Sequence, residues 1–208
     1  MIQKRKLGQS GIEISALGMG CWVIGDPFWD GQTPLGWGVV DDRESIRALH
    51  LALDLGVNFF DTADVYGAGH SERVIGQAFE NKRDQVIIAT KFNSTFDEDT
   101  YQVTGWNASP EYIRLACETS LRRLKTDYID LYQFHQNRYP VEKAGEVLET
   151  LECLVKEGKI RSYGWSTDFA DRASSFAQGE YCTAIQFQEN VLDDNPEVID
   201  VCIRYNLA

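Results

Sequence analysis

Six polar residues stand at or just beyond the ends of predicted strands, and their types could together perform acid–base chemistry. They are Asp61, Lys91, His135, Ser166 and Gln186, each closing a short apolar or aromatic run, and Tyr66, on a glycine-flanked loop after Asp61. In a barrel of alternating strands and helices, chemistry is done at the carboxyl ends of the strands. The sequence therefore predicts that these side chains converge on one site.

Tyr66, Lys91 and Asp61 suggest how such a site could supply a proton. A free tyrosine has a pKa of about 10, and a nearby ammonium such as that of Lys91 favours the phenolate and lowers this pKa. Asp61 would keep Lys91 charged and in place, because a buried ammonium without a partner is costly. His135 would hydrogen-bond the oxygen of a bound carbonyl. We therefore expect proton donation to a developing alkoxide, with hydride from a nicotinamide cofactor, because no side chain supplies hydride.

The segments between these residues predict a strand followed by a helix, six times over. Apolar and β-branched runs predict strands at 16–20, 57–60, 86–90, 129–134, 162–165 and 184–187. Apolar residues at helical spacing predict helices over 41–56, 71–79, 109–124, 144–155, 168–177 and 195–203. A small hairpin over 4–14 precedes them. Segments 21–41 and 93–108 are expected to be long loops rich in aromatic residues.

This alternation implies an α/β fold with a parallel sheet and right-handed crossovers. An open doubly wound sheet would also fit, but no GxGxxG follows the first strand, and polar residues at five successive strand ends favour a barrel. We therefore expect a (β/α)8 TIM barrel with an N-terminal β-hairpin. A complete barrel takes about 250 residues, whereas this chain reaches Ala208 where a seventh strand should begin. The expectation is one barrel domain over residues 1–208 that lacks the last two β/α units, unless something else covers the gap.

Several segments, taken in order along essentially the whole chain, resemble the aldo-keto reductase family. They are Asp61-Thr62-Ala63-Asp64-Val65-Tyr66-Gly67, Gly69-His70-Ser71-Glu72, Ala89-Thr90-Lys91, Ser120-Leu121-Arg122-Arg123-Leu124, Ile129-Asp130-Leu131-Tyr132-Gln133-Phe134-His135 and Gly158-Lys159-Ile160-Arg161. The resemblance implies the (α/β)8 barrel and NADPH-dependent reduction of aldehydes and ketones. It also implies a catalytic tetrad of Asp61, Tyr66, Lys91 and His135, in which Tyr66 is the proton donor.

The same resemblance implies which residues hold the cofactor, NADP(H). Family members bind the nicotinamide carboxamide through a serine, an asparagine and a glutamine; Ser166 and Gln186 match, and Thr167 stands where asparagine is usual. Trp22 and Asp61 would lie near the nicotinamide ribose. The residues that grip the 2′-phosphate in the family fall beyond position 208, so the preference for NADP over NAD rests on the family alone.

Two alternatives to a reductase are considered. The resemblance extends to potassium-channel β subunits, in which the barrel is a cofactor-binding redox sensor attached to a partner, but His135 favours turnover over that role. The other alternative is that the 208-residue chain is an inactive, truncated barrel.

The composition argues against several other classes of function. A net charge of -12 disfavours the basic surface that nucleic acids or anionic membranes require. The amino terminus has no apolar core behind its charges, and no run of ~18 apolar residues occurs. Five cysteines without CxxC spacing indicate reduced thiols in a cytoplasmic protein, and no metal site is suggested. The expected partner is a small-molecule carbonyl.

Overall fold

The computed structural model describes residues 2–192 and 194–208. A hairpin of β1 (Lys4–Lys6) and β2 (Glu13–Ser15) comes first. Six parallel strands follow in one sheet, ordered in space as they are along the chain: β3 (Gly18–Gly20), β6 (Phe59–Asp61), β7 (Ile87–Phe92), β10 (Leu131–Phe134), β11 (Tyr163–Ser166) and β12 (Cys182–Gln186). The described residues thus supply the six parallel strands that the alternation predicts.

The sheet is strongly curled, and one side-chain contact demonstrates it. Asp61 lies on β6 and Gln186 on β12, with three strands between them. Four strand spacings in a flat sheet would separate them by about 19 Å. Their side chains are instead hydrogen-bonded, with Gln186 Nε2 3.2 Å from Asp61 Oδ2. The sheet therefore folds round on itself as an α/β barrel does, and its concave face is the interior.

In the described part of the chain, six α-helices cover the outer face of this sheet. They are α1 (Asp42–Asp54), α2 (His70–Phe79), α3 (Pro110–Leu124), α4 (Ala144–Lys156), α5 (Ala170–Phe176) and α6 (Pro196–Tyr205). The predicted helices over 109–124 and 195–203 begin with side-chain caps: Ser109 accepts a hydrogen bond from the Tyr112 N–H at the start of α3, and Asn195 accepts one from the Val198 N–H at the start of α6. The helices bury apolar faces against the outward side chains of the strands in one large core. No helix in the described part of the chain is long and apolar enough to span a bilayer.

Two predicted helix starts were wrong: α5 begins at Ala170 rather than at 168, and α2 is displaced by one residue. Helix α2 begins at His70 rather than Ser71, and the residue before it, Gly69, has a positive φ of 89° and no side chain to cap with. The Ser71 hydroxyl points inward instead, donating to the Cys21 carbonyl at 2.8 Å and contacting the Thr62 hydroxyl at 2.8 Å. The cap-like serine therefore joins the loop after β6 to the end of β3.

The two long segments that we expected to be irregular loops form a second sheet. Segment 21–41 contains β4 (Phe28–Asp30) and β5 (Thr33–Leu35), and segment 93–108 contains β8 (Ser94–Asp97) and β9 (Gln102–Trp106). Each pair is an antiparallel hairpin, and β4 pairs with β9 in parallel, so that the strand order is β5-β4-β9-β8. Phe28 of this sheet packs on Ala63 and Val65 in the loop after β6. The second sheet therefore covers the loop that carries Tyr66.

The N-terminal hairpin closes the opposite end of the main sheet. Leu7 and Ile12, between β1 and β2, pack on Ala89, Leu131 and Ala184, which project from three of the parallel strands. The Leu7 side chain is 1% exposed. The hairpin therefore acts as a plug at the amino ends of the strands, away from the residues predicted to do chemistry.

We expect Leu7→Ala to lower the free energy of unfolding by about 2–5 kcal/mol, because it removes buried methyl groups and leaves a cavity in the plug. Leu17→Ala is the matched control: Leu17 is 65% exposed, and its truncation should change stability by no more than about 0.5 kcal/mol. Urea unfolding followed by circular dichroism measures both. Equal effects of the two substitutions would show that the plug contributes little to stability.

Candidate active site

Lys91 is the buried centre of the predicted site. It lies on β7, where it is 2% exposed, and its Nζ donates to Asp61 Oδ2 at 2.7 Å and to the Thr62 carbonyl at 2.8 Å. Its third neighbour is the Tyr66 hydroxyl, 3.5 Å away. An ammonium has three donors, and here one points to a carboxylate, one to a peptide carbonyl and one to a phenol.

Asp61 is held in place by two amides from other strands. Gln133 Nε2 donates to Asp61 Oδ1 at 3.3 Å, and Gln186 Nε2 donates to Asp61 Oδ2 at 3.2 Å. Gln133 also donates to Gln186 Oε1 at 3.2 Å. Both oxygens of the carboxylate are therefore bound, which fixes its orientation toward Lys91.

Gln133 was not among the residues that the sequence pointed to. It is 1% exposed, in the middle of a strand, where burial of an amide is costly unless it is hydrogen-bonded. The available signal was its position: side chains two apart on a strand share a face, so Gln133 projects to the same side as His135. It is also the register partner of Lys91. The presence of a glutamine within one apolar strand, at the position that pairs with a lysine in the next strand, could have identified Gln133 as a site residue.

Tyr66 is placed by a close backbone contact between two loops. Gly67, the next residue, has a φ of 57°, and a Cβ there would lie 1.2 Å from the carbonyl oxygen of Gly25. Only glycine allows this approach. The contact brings the loop after β3 against Tyr66, and the Trp22 ring stacks on the Tyr66 ring with centroids 5.8 Å apart and an interplanar angle of 20°.

The pKa of Tyr66 is raised, which corrects the sequence-based expectation. Burial is the main cause, because it disfavours the charged phenolate. The Lys91 ammonium and its hydrogen bond lower the pKa, as expected, but they do not outweigh burial, and the Asp61 charge adds to the rise. In this structure Tyr66 therefore holds its proton at neutral pH.

His135 follows β10 and faces Tyr66 edge-on. The ring centroids are 6.1 Å apart with an interplanar angle of 84°. Burial, and secondly the Lys91 charge, lower the pKa of His135 to about 3, so that the imidazole is neutral at physiological pH. Its Nδ1 atom is buried with no hydrogen-bond partner in the described chain. A neutral imidazole presents one donor and one acceptor, so His135 can hydrogen-bond a ligand without carrying charge.

The residues expected to bind the cofactor do not all line one cavity. Ser166 and Thr167 after β11 and Gln186 at the end of β12 line a cavity of about 470 Å³, together with His135 and Asn137. Hydroxyl and amide groups in one wall beside the tetrad fit a nicotinamide carboxamide, which has one acceptor and one two-hydrogen donor. Trp22 does not line this cavity; it lies against Tyr66.

Other residues of the family-like segments support the site from behind. The hydroxyl of Thr90, next to Lys91, donates to Glu72 Oε1 at 2.7 Å. Arg123 Nη1 donates to Glu72 Oε2 at 3.0 Å, so this buried carboxylate has a cationic partner. Helix α2 also packs closely on α3, since a Cβ on Gly76 would lie 2.4 Å from the Arg123 carbonyl oxygen. These contacts fix the strand that carries Lys91 against two helices.

Comparison with known proteins identifies similar chains. The sequence profile described as "Aldo/keto reductase family" matches residues 16–208. The chain is 35% identical over 196 residues to the uncharacterized oxidoreductase YqkF of Bacillus subtilis, covering 94% of this chain and 59% of that protein. It superposes with a TM-score of 0.87 on aldo-keto reductase AKR11C1 from Bacillus halodurans, at 32% identity, covering all of this chain and 65% of that one. An aldo-keto reductase from Klebsiella pneumoniae in complex with NADPH gives 0.78 at 28% identity, covering 100% and 66%.

The burial of neutral His135 predicts a pH dependence of stability. Its pKa of about 3 in the folded protein lies below the ordinary value of 6.5, so between these values the unfolded chain binds the proton and the folded chain does not. Stability should therefore fall as the pH drops from about 6.5 toward 3, by up to about 1.4 kcal/mol per pH unit from this residue.

His135→Gln should remove this contribution. The unfolding free energy of the variant should then decline less steeply than that of the wild type between about pH 6 and 4, roughly the middle of the titration range. Urea unfolding at a series of pH values measures the two slopes. The other two histidines are present in both proteins and serve as an internal control. Parallel profiles would mean that His135 takes up a proton in the folded state.

Proposed function

Because the chain belongs to the aldo/keto reductase family, we propose that it reduces aldehyde and ketone carbonyls to alcohols with NADP(H). The observation that carries the proposal is the contact of one buried ammonium, Lys91, with both the Asp61 carboxylate and the Tyr66 hydroxyl. Oxidoreductase homologues and solved aldo-keto reductases give independent support.

The proposed acid is Tyr66, and its raised pKa suits that role. Hydride addition to the carbonyl carbon breaks the C–O π bond and places negative charge on the oxygen. The Tyr66 O–H donates its proton there, forming the alcohol and leaving a phenolate. Lys91 Nζ, 3.5 Å from the phenol oxygen, stabilises that phenolate until a proton from solvent replaces the one that was lost. Positioned proton transfer of this kind contributes about 10²- to 10⁴-fold to a rate.

His135 and Asp61 have different proposed roles. Neutral His135 would hydrogen-bond the carbonyl oxygen and orient it beside the Tyr66 hydroxyl. With a pKa of about 3, it would position the substrate rather than protonate it. Asp61 would keep Lys91 charged in its buried position, since an unpaired buried ammonium is strongly disfavoured.

The proposed cofactor residues are Trp22, Asp61, Ser166, Thr167 and Gln186. Ser166, Thr167 and Gln186 would bind the nicotinamide carboxamide in the cavity that they line, while Trp22 and Asp61 would lie near the ribose. When bound, the reduced nicotinamide supplies the hydride. We propose NADPH rather than NADH because similar aldo-keto reductase structures from Klebsiella pneumoniae were solved with NADPH and with NADP and acetate.

The proposed partner is a small-molecule carbonyl compound in the cytoplasm. The five cysteines are free thiols in the structure, which fits a reducing compartment. Trp22, Trp37 and Trp106 are exposed in the two segments that contribute the second sheet, and such aromatic surface suits a substrate with an apolar part.

We expect Tyr66→Phe to bind NADPH as the wild type does but to lower kcat for carbonyl reduction by at least about 10²-fold, because only the proton-donating hydroxyl is removed. NADPH oxidation against a panel of aldehydes and ketones, together with a fluorescence titration of NADPH, measures both quantities. Tyr205→Phe is the matched control, since it deletes a phenol hydroxyl on helix α6 that, among the described residues, is hydrogen-bonded to Gln178 alone. Turnover by Tyr66→Phe equal to that of the control would exclude Tyr66 as the proton donor.

A further inference from the structure

Thr167 occupies the position at which the family usually has an asparagine, and its hydroxyl is already engaged. Thr167 is 2% exposed. Its Oγ1 lies 3.0 Å from the main-chain oxygen of Asn137 and 3.2 Å from Asn137 Oδ1. A hydroxyl has a single hydrogen to donate, and both nearest acceptors belong to Asn137. Thr167 is therefore poorly placed to provide an amide-like contact to a ligand.

Asn137 brings an amide to the same corner from the neighbouring strand end. It lines the cavity that Ser166, Thr167 and Gln186 line. Its Oδ1 accepts from the Asp168 N–H at 2.9 Å, and its Nδ2 donates to Asp168 Oδ2 at 2.8 Å. Oδ1 faces two donors, the Thr167 hydroxyl and the Asp168 N–H, and Nδ2 faces the Asp168 carboxylate. The hydrogen-bond network therefore assigns which end of the Asn137 amide is oxygen and which is nitrogen.

Asp168, which also lines the cavity, is in turn fixed by two residues further along the chain. Its Oδ1 accepts from the Gln188 N–H at 2.9 Å, and its main-chain oxygen accepts from Asn195 Nδ2 at 2.8 Å. Asn137 is therefore bound to a residue that is itself tied to the loop after β12. A side chain held at both ends of its amide loses little rotamer freedom when a ligand arrives.

One hydrogen of Asn137 Nδ2 remains after these contacts. An amide nitrogen carries two hydrogens, and within residues 2–192 and 194–208 Nδ2 donates only to Asp168. The remaining N–H belongs to a residue of the cavity wall. A carboxamide in the cavity has an oxygen that needs such a donor.

We propose that Asn137 donates this N–H to the carboxamide oxygen of the nicotinamide, in place of the asparagine that Thr167 replaces. Thr167 and Asp168 are then positioning residues, which hold the Asn137 amide in the required orientation. The inference rests on the proposed function, because it needs a nicotinamide cofactor in this cavity.

The test compares the binding of NADP+ with that of thionicotinamide NADP+, in which sulfur replaces the carboxamide oxygen. Sulfur is a weak acceptor, so the wild type should bind the thio analogue more weakly. Asn137→Ala should raise the Kd of NADP+ by about tenfold, the equivalent of one lost hydrogen bond, and should bind the two ligands with similar affinity. Isothermal titration calorimetry on the purified chain gives the four dissociation constants.

Gln178→Ala is the matched control, because it deletes an exposed side-chain amide just after helix α5, where Gln178 is hydrogen-bonded to the Ser174 carbonyl and the Tyr205 hydroxyl. It should leave all affinities and the preference for oxygen over sulfur unchanged. If Asn137 has a purely structural role, Asn137→Ala should raise the Kd of both ligands by the same factor and keep the preference for oxygen. That result would overturn the inference. If Asn137→Ala is not folded by circular dichroism, Asn137→Ser, which keeps a polar group toward Thr167, goes through the same comparison.

The results also separate this inference from the proposed function. If the wild type binds NADP+ and reduces carbonyls but the Asn137 variant keeps the preference for oxygen over sulfur, the role of Asn137 is refuted and the proposed function stands. Failure of the wild type to bind NADP+ at all would count against the proposed function and would refute this inference with it.

Discussion

The structure depends on one buried charge, the Lys91 ammonium. A cation that is 2% exposed must be compensated, because burying an isolated ammonium costs on the order of several kcal/mol even after the protein relaxes around it. Asp61 and the Thr62 carbonyl provide the compensation at 2.7 and 2.8 Å. Both come from the end of β6, so the pairing of β6 with β7 is also the condition for burying the lysine. Fold and site are therefore stabilised by the same contacts.

The curl of the sheet extends this arrangement across the barrel interior. Gln133 and Gln186 reach Asp61 from strands that would be far away in a flat sheet, and they also bind each other. Both amides donate to the carboxylate and Gln186 also accepts from Gln133; such hydrogen bonds let a buried polar network stabilise a core rather than weaken it. Parallel strands end at one edge, and curvature brings those ends together, so residues more than 100 positions apart in sequence share one site.

Local patterns predicted the parts that local chemistry controls. The strand-helix alternation and the caps at Ser109 and Asn195 depend on neighbouring residues and could be predicted from the sequence. The sheet formed by the two long loops could not, because its strands are only three to five residues long and β4 pairs with β9 across some 70 residues. The predicted lowering of the Tyr66 pKa was also wrong. Burial, which depends on the whole fold, raises this pKa by more than the Lys91 charge lowers it.

Burial acts in opposite directions on the two groups that would meet a carbonyl oxygen. It raises the pKa of Tyr66 and lowers that of His135, because in each case it favours the neutral form. At neutral pH the site therefore contains a protonated phenol and an uncharged imidazole, with Lys91 and Asp61 as the charged pair beside them. In the proposed reaction the phenol would give up this proton when negative charge develops on a bound oxygen, and the ammonium 3.5 Å away would then stabilise the phenolate. On this proposal, burial keeps the acid protonated until the reaction creates the base that takes its proton.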